Sequence, residues 1–161
     1  MALQSTTALA KITLQEASDS IEFSGIPGTY RDLVLVSKAG GSGQWVLNLN
    51  GDSSTSNYLY VAIRGRSAGV GGYQFSTDGA FYDGMTLQST LDYINICEII
   101  DYSQTNKHKT LLFRGTSASA SVVTATAARY ASNNAITSLT VSAVGGSFLA
   151  NSTFALFGRV A

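Results

Sequence analysis

Residues 45–51, Trp45-Val46-Leu47-Asn48-Leu49-Asn50-Gly51 (WVLNLNG), carry the period that decides the fold. Trp45, Leu47 and Leu49 alternate with Val46, Asn48 and Asn50, and successive side chains of a β-strand point to opposite faces. The run ends on Asn50-Gly51, a pair that tolerates positive φ and is a strong hairpin-turn signal. A period of two closed by such a turn reads as a strand of an antiparallel sheet.

The same period recurs on both sides of this stretch. Ile12 and Leu14 share a face in residues 11–15 (KITLQ), as do Ile21 and Phe23 in residues 20–23. Residues 57–65 (NYLYVAIRG) place Leu59, Val61 and Ile63 on one side and Tyr58 and Tyr60 on the other. Near the C-terminus Leu139, Val141 and Ala143 alternate with Thr140 and Ser142, and Phe154 and Leu156 repeat the pattern. Residues 32–36 (DLVLV) and 93–100 (YINICEII) are near-continuous apolar runs, expected to be central strands buried on both faces. Residues 119–131 are the only helix-like stretch, and their alternation of small residues with Val and Thr suits a strand at least as well. Turn chemistry separates these runs at Gly40-Gly41-Ser42-Gly43, residues 69–72, Asp78-Gly79, Asp83-Gly84 and Gly145-Gly146. The pattern predicts an all-β, single-domain β-sandwich or jelly roll of about eight to ten antiparallel strands. Residues 1–10 are expected to form an N-terminal arm and residues 11–161 the sandwich.

Composition narrows the function. Ten Lys+Arg balance ten Asp+Glu in 161 residues, and the charged fraction of 12% is about half the usual ~25%. A nucleic-acid binder carries a basic excess to neutralise phosphates, and none is present. Hydrophobic residues reach 45%, which argues against disorder. No apolar run approaches the ~18 residues of a spanning helix. Net charge near zero favours association. Ala8-Leu9-Ala10 resembles a signal-peptidase site, but residues 1–7 hold neither a basic nor an apolar region, so no secretory signal is expected. Cys97 is alone and sits in an apolar strand, as expected of a buried thiol in a protein made in a reducing cytoplasm.

Residues for chemistry are sparse. The single histidine, His108, lies between Lys107 and Lys109 in a polar turn, far from the arrangement of a catalytic triad. One His and one Cys do not make a structural zinc site. Gly69-Val70-Gly71-Gly72 lacks the Lys-Ser/Thr and helix of a phosphate loop. Asp78, Asp83, Asp92 and Asp101 are available as paired carboxylates for glycan cleavage, but they read as solvated turn or strand-end residues. The expectation is no enzyme, no cofactor and no metal. What remains is surface: eight Tyr and seven Phe exceed the needs of a small core, and Tyr suits positions with one apolar and one wet end. Residues 64–84 read as a long Gly-rich loop suited to contacting a partner. The candidate partner-contact residues are Arg64, Arg66, Tyr73, Phe81 and Tyr82, joined by Tyr58 and Tyr60. The small-residue segment 117–128 would let another backbone approach closely.

An ordered set of segments resembles small structural proteins of tailed bacteriophages, especially those of marine and freshwater bacteria, including cyanophages. The resemblance rests on ITLQEAS (12–18), IPGTYRDLVLV (26–36), NGD (50–52) with NY (57–58), DYS (101–103), KTLLFRG (109–115) and residues 135–159. It implies a non-enzymatic virion component with a β-sandwich or jelly-roll fold, assembled as a homotrimer. A stalk and a separate anchoring region, usual in fibres, are missing from the pattern, which favours a capsid decoration or cement protein on the major capsid protein. The alternative is a tail- or fibre-associated module that binds a receptor or a host surface glycan.

Overall fold

The computed structural model describes residues 6–66, 69–75, 80–118 and 121–160. These residues form twelve strands: β1 (Thr6–Thr13), β2 (Ser20–Phe23), β3 (Asp32–Ala39), β4 (Gln44–Leu49), β5 (Tyr58–Arg66), β6 (Gly69–Phe75), β7 (Phe81–Thr86), β8 (Tyr93–Ile100), β9 (Lys109–Ser117), β10 (Val122–Tyr130), β11 (Leu139–Val144) and β12 (Thr153–Arg159). They build an eight-stranded sheet ordered β1-β12-β3-β8-β9-β10-β5-β6 and a four-stranded sheet ordered β2-β11-β4-β7. Every pairing is antiparallel.

The wiring is that of a jelly roll. The pairs β1·β12, β2·β11, β3·β8 and β4·β7 are the nested rungs of one long antiparallel ribbon. Successive rungs fall alternately in the larger and the smaller sheet, so the ribbon wraps around the core. Two hairpins, β5–β6 and β9–β10, are inserted into this ribbon and extend the larger sheet beyond β8. β7 of the smaller sheet packs across β5, β9 and β10.

Twelve strands exceed the number expected, and two stretches differ from their expected structure. Thr6–Ala10, expected as part of an arm, instead belongs to the edge strand β1, paired from Thr6↔Arg159 to Thr13↔Thr153 with an irregularity between Ala8 and Ala10. Residues 64–84, expected as a long loop, contain the end of β5, the whole of β6 and most of β7. β6 pairs with β5 from Arg66↔Gly69 to Tyr60↔Phe75. Ladder hydrogen bonds use only backbone groups, so a Gly-rich segment joins a sheet when its neighbour is already ordered, whatever its propensity.

Asn50 and Gly51 both have positive φ, 54° and 64°, as the sequence predicts for this turn. The turn does not close a hairpin, however, because it leads from β4 in the smaller sheet towards β5 in the larger. Asn50 also braces the segment before β11. Its Oδ1 accepts the Thr137 and Ser138 N–H groups at 2.8 and 3.1 Å, and its Nδ2 donates to the Ala135 carbonyl at 2.8 Å.

The core is held by aromatic rings drawn from both sheets. Trp45 meets Phe113 edge-on at 6.1 Å between centroids, Phe113 meets Phe81 at 5.8 Å, Phe81 meets Tyr58 at 4.8 Å and Tyr58 meets Tyr130 at 5.2 Å. Such pairs contribute about 0.5–1.5 kcal/mol each beyond the area they bury. Lys109, fully buried at the start of β9, pins two loops at one end of the sandwich. Its Nζ donates to the carbonyls of Gln104, Lys107 and Ser132 at 2.6, 2.9 and 3.3 Å, which uses all three ammonium donors. Burial and the neighbouring Lys107 lower its pKa from the ordinary lysine value. Lys109→Met keeps the stem but strands three carbonyls, so urea denaturation is expected to show a loss of about 2–3 kcal/mol.

Candidate interaction face

The orientation of β5 decides which surface this molecule presents. Tyr58, Tyr60 and Ala62 point into the sandwich and are buried, whereas Val61 and Ile63 stand 51% and 59% exposed on the outside. The hydroxyls explain the choice. Tyr58 Oη donates to the Asp52 carbonyl at 2.8 Å and accepts the Leu49 N–H at 3.2 Å. Tyr130 Oη donates to Asp52 Oδ2 at 2.7 Å. A buried tyrosine with its hydroxyl satisfied contributes a large ring without the cost of an orphaned O–H. Burial is the main cause that pushes the Tyr58 pKa up to about 12. Burial also works to raise the Asp52 pKa, but hydrogen bonds from the Ser54 N–H, Tyr130 and Asn57 hold its carboxyl below the usual range.

These facts correct the expected contact set. Tyr58, Tyr60 and Phe81 are core residues, because each faces the opposite sheet and its rings. Arg64 shares the inward parity of Tyr58 and Tyr60 and is half-buried, while Arg66, at the end of β5, is exposed. Tyr73 and Tyr82 lie on β6 and β7, but their side chains fall outside the described residues.

The outer face of the larger sheet takes the place of those tyrosines. Across β3, β8, β9, β10 and β5 in register, Val34, Glu98, Leu112, Ala127 and Val61 form one row. Val36, Ile96, Arg114, Ala125 and Ile63 form the next, followed by Lys38, Ile94, Thr116, Val123 and Gly65. Ile94, Leu112 and Val123 are 42%, 38% and 59% exposed. Residues 93–100 were expected to be covered on both faces, and β8 is indeed central, but its outer side chains are left at the surface.

The face has relief as well as polarity. Ala125 and Ala127 floor a shallow hollow of about 530 Å³, bordered by Val61 and Ile63 on β5 and by Leu112 and Arg114 on β9. A smaller hollow of about 270 Å³ lies beside Ile94 and Ile96. The alternation of small residues noticed in segment 117–128 therefore has one of its two sets of side chains, Ala125 and Ala127, at the surface.

Charge on this face is paired around Glu98, while Lys38 and Arg129 stand exposed towards its margins. Arg114 Nη2 pairs with Glu98 Oε1 at 2.6 Å, and Arg159 Nη2 lies 3.8 Å from Glu98 Oε2 and 2.9 Å from Asp32 Oδ2. Asp32, almost wholly buried, also pairs with Arg31 at 2.7 Å and accepts the Asp101 N–H at 3.1 Å. Burial works to raise the Asp32 pKa, but Arg31, the Asp101 N–H and Arg159 outweigh it and hold the carboxyl below the usual range.

Groups with reactive chemistry are placed elsewhere. His108 is exposed in the β8–β9 loop. Cys97 is fully buried, and burial, helped by Glu98, pushes its thiol pKa well up, away from the thiolate that nucleophilic chemistry needs. Asp101 pairs with Lys107 at 2.6 Å. Asp78 and the side chain of Asp83 lie outside the described residues. Among the described residues no three His, Cys, Asp or Glu side chains gather as a metal site. Comparison of the chain with protein-family models and with curated proteins gives no match.

The Asp32 cluster sets an acid limit. Its folded pKa lies below the ordinary value of 3.8, so the stabilisation is complete above that pH. It is lost as pH falls from there through the lower folded value. Asp32→Asn leaves Arg31 and Arg159 facing a neutral amide and is expected to cost about 2–3 kcal/mol at neutral pH. The difference from wild type is expected to shrink at about pH 3, as measured by urea denaturation at the two pH values.

Proposed function

We propose that this chain is a non-enzymatic structural protein of a tailed-bacteriophage virion. In this reading it is made in the bacterial host cytoplasm, assembles as a homotrimer and decorates the head by binding the major capsid protein. The observation that carries the reading is the uncovered apolar face of the larger sheet. Contiguous apolar patches beyond a few hundred Å² are rare on soluble monomers and mark interaction sites. A surface of Val, Ile, Leu and Ala with a paired Arg114–Glu98 supplies contact area rather than a nucleophile or a proton acceptor.

Two further supports are weaker. Jelly rolls serve in viral capsids and in lectins alike, and a fold by itself does not imply a function. The ordered segments that resemble phage structural proteins span the chain from residues 12–18 to residues 135–159 and include parts of β1, β3, β9, β11 and β12. Mass spectrometry of separated heads and tails from purified particles tests the reading. The protein is expected in the head fraction, at a copy number in constant ratio to the major capsid protein. Recovery in tails alone assigns it to the tail- or fibre-associated receptor- or glycan-binding alternative, and absence from both fractions overturns the structural role.

A further inference from the structure

We propose that the outer face of the larger sheet is the surface through which copies of this chain associate. The Val61–Ile63 ridge of one copy would sit in the Ala125–Ala127 valley of the next. The inference rests on the reading of the chain as a self-assembling protein and names the surface and the occupant.

Three observations favour a second copy over a different partner. First, ridge and valley lie side by side on one face, since Ala127 pairs with Val61 and Ala125 with Ile63 across adjacent strands. The same patch therefore carries both halves of a complementary contact. Repeated head to tail, a contact of this kind forms a ring when its rotation closes. Second, the charged groups near the hollow are already paired within the chain, Arg114 with Glu98 and Arg159 with Glu98 and Asp32. Two copies of a chain with net charge zero meet there through apolar side chains, with the exposed Lys38 and Arg129 of the same face at the margin of the contact. Third, the size fits. Eight strands at about 4.8 Å spacing and about seven residues in length give a face near 900 Å², against about 800 Å² that each partner contributes to a stable interface.

Light scattering coupled to size-exclusion chromatography tests the surface directly. Wild type is expected at a multiple of the single-chain mass. Ala125→Arg fills the valley with a long cation and is expected to elute as a single chain with an unchanged circular-dichroism spectrum. Should that variant fail to fold, Ile63→Lys on the ridge is judged by the same readout, with association expected to weaken about tenfold or more. Val144→Arg, at the exposed last residue of β11 in the smaller sheet, is expected to keep the wild-type mass. A monomeric wild type, a folded Ala125→Arg or Ile63→Lys protein of wild-type mass, or dissociation by Val144→Arg alone overturns the proposal. This measurement and the virion assay fail independently. An Ala125-sensitive oligomer absent from particles leaves the interface standing, and a virion protein that is monomeric in solution removes it.

Discussion

The stack of rings Trp45, Phe113, Phe81, Tyr58 and Tyr130 alternates between the two sheets over most of its length and sets the orientation of the strands that carry it. A strand has only two faces, so turning Tyr58 and Tyr60 inward commits Leu59, Val61 and Ile63 to the other side. The commitment passes through the ladder. β10 is registered to β5 from Val122↔Arg66 to Tyr130↔Tyr58, and β9 to β10 from Val122↔Ser117 to Tyr130↔Lys109. A slip of one residue would put Tyr130 and Phe113 into water and break the hydrogen bond to Asp52, so the register is strongly specified.

The unequal sheets turn that parity into a surface. The four-rung ribbon alone would give two sheets of four strands, β1-β12-β3-β8 over β2-β11-β4-β7. The inserted hairpins β5–β6 and β9–β10 double the larger sheet without enlarging the smaller one. β7 covers the inner side of the extension, while the outer side of β8, β9, β10 and β5 remains apolar. The charges at Glu98, Arg114, Arg159 and Asp32 pair with one another, and the exposed cations Lys38 and Arg129 stand towards the margins of that face. Apolar area and relief together suit contact with a like surface.

Much of the fold was legible in residue order. The period of two in residues 45–49, 139–143 and 154–156 became β4, β11 and β12, and Asn50-Gly51 took the two positive φ values expected of it. Residues 122–130, in a stretch equally readable as a helix, became β10 because their backbone pairs with β5 and β9 and alternate side chains are buried on the side that β7 covers. The first part of β1, Thr6–Ala10, and the whole of β6 were not legible. Both lie in edge strands, and what holds them is a neighbour's row of backbone groups, not a pattern of their own. The candidate site was legible only in part. The low charge of the chain pointed to association, but the aromatic residues chosen as contacts were largely the core.

Local sequence determined that this chain is built of strands, where many of them turn, and that its surface would be poor in charge, because these follow from residue type and spacing. It did not determine which side of NYLYVAIRG faces inward, because Tyr58 and Tyr60 on one side and Val61 and Ile63 on the other are all apolar enough to be buried. That choice depended on partners distant in the chain: the Asp52 carboxylate and carbonyl, the Leu49 backbone, and the rings of Phe81 and Tyr130. Only the tertiary structure brought these to the tyrosine hydroxyls and rings, and by satisfying them it left the aliphatic face outward.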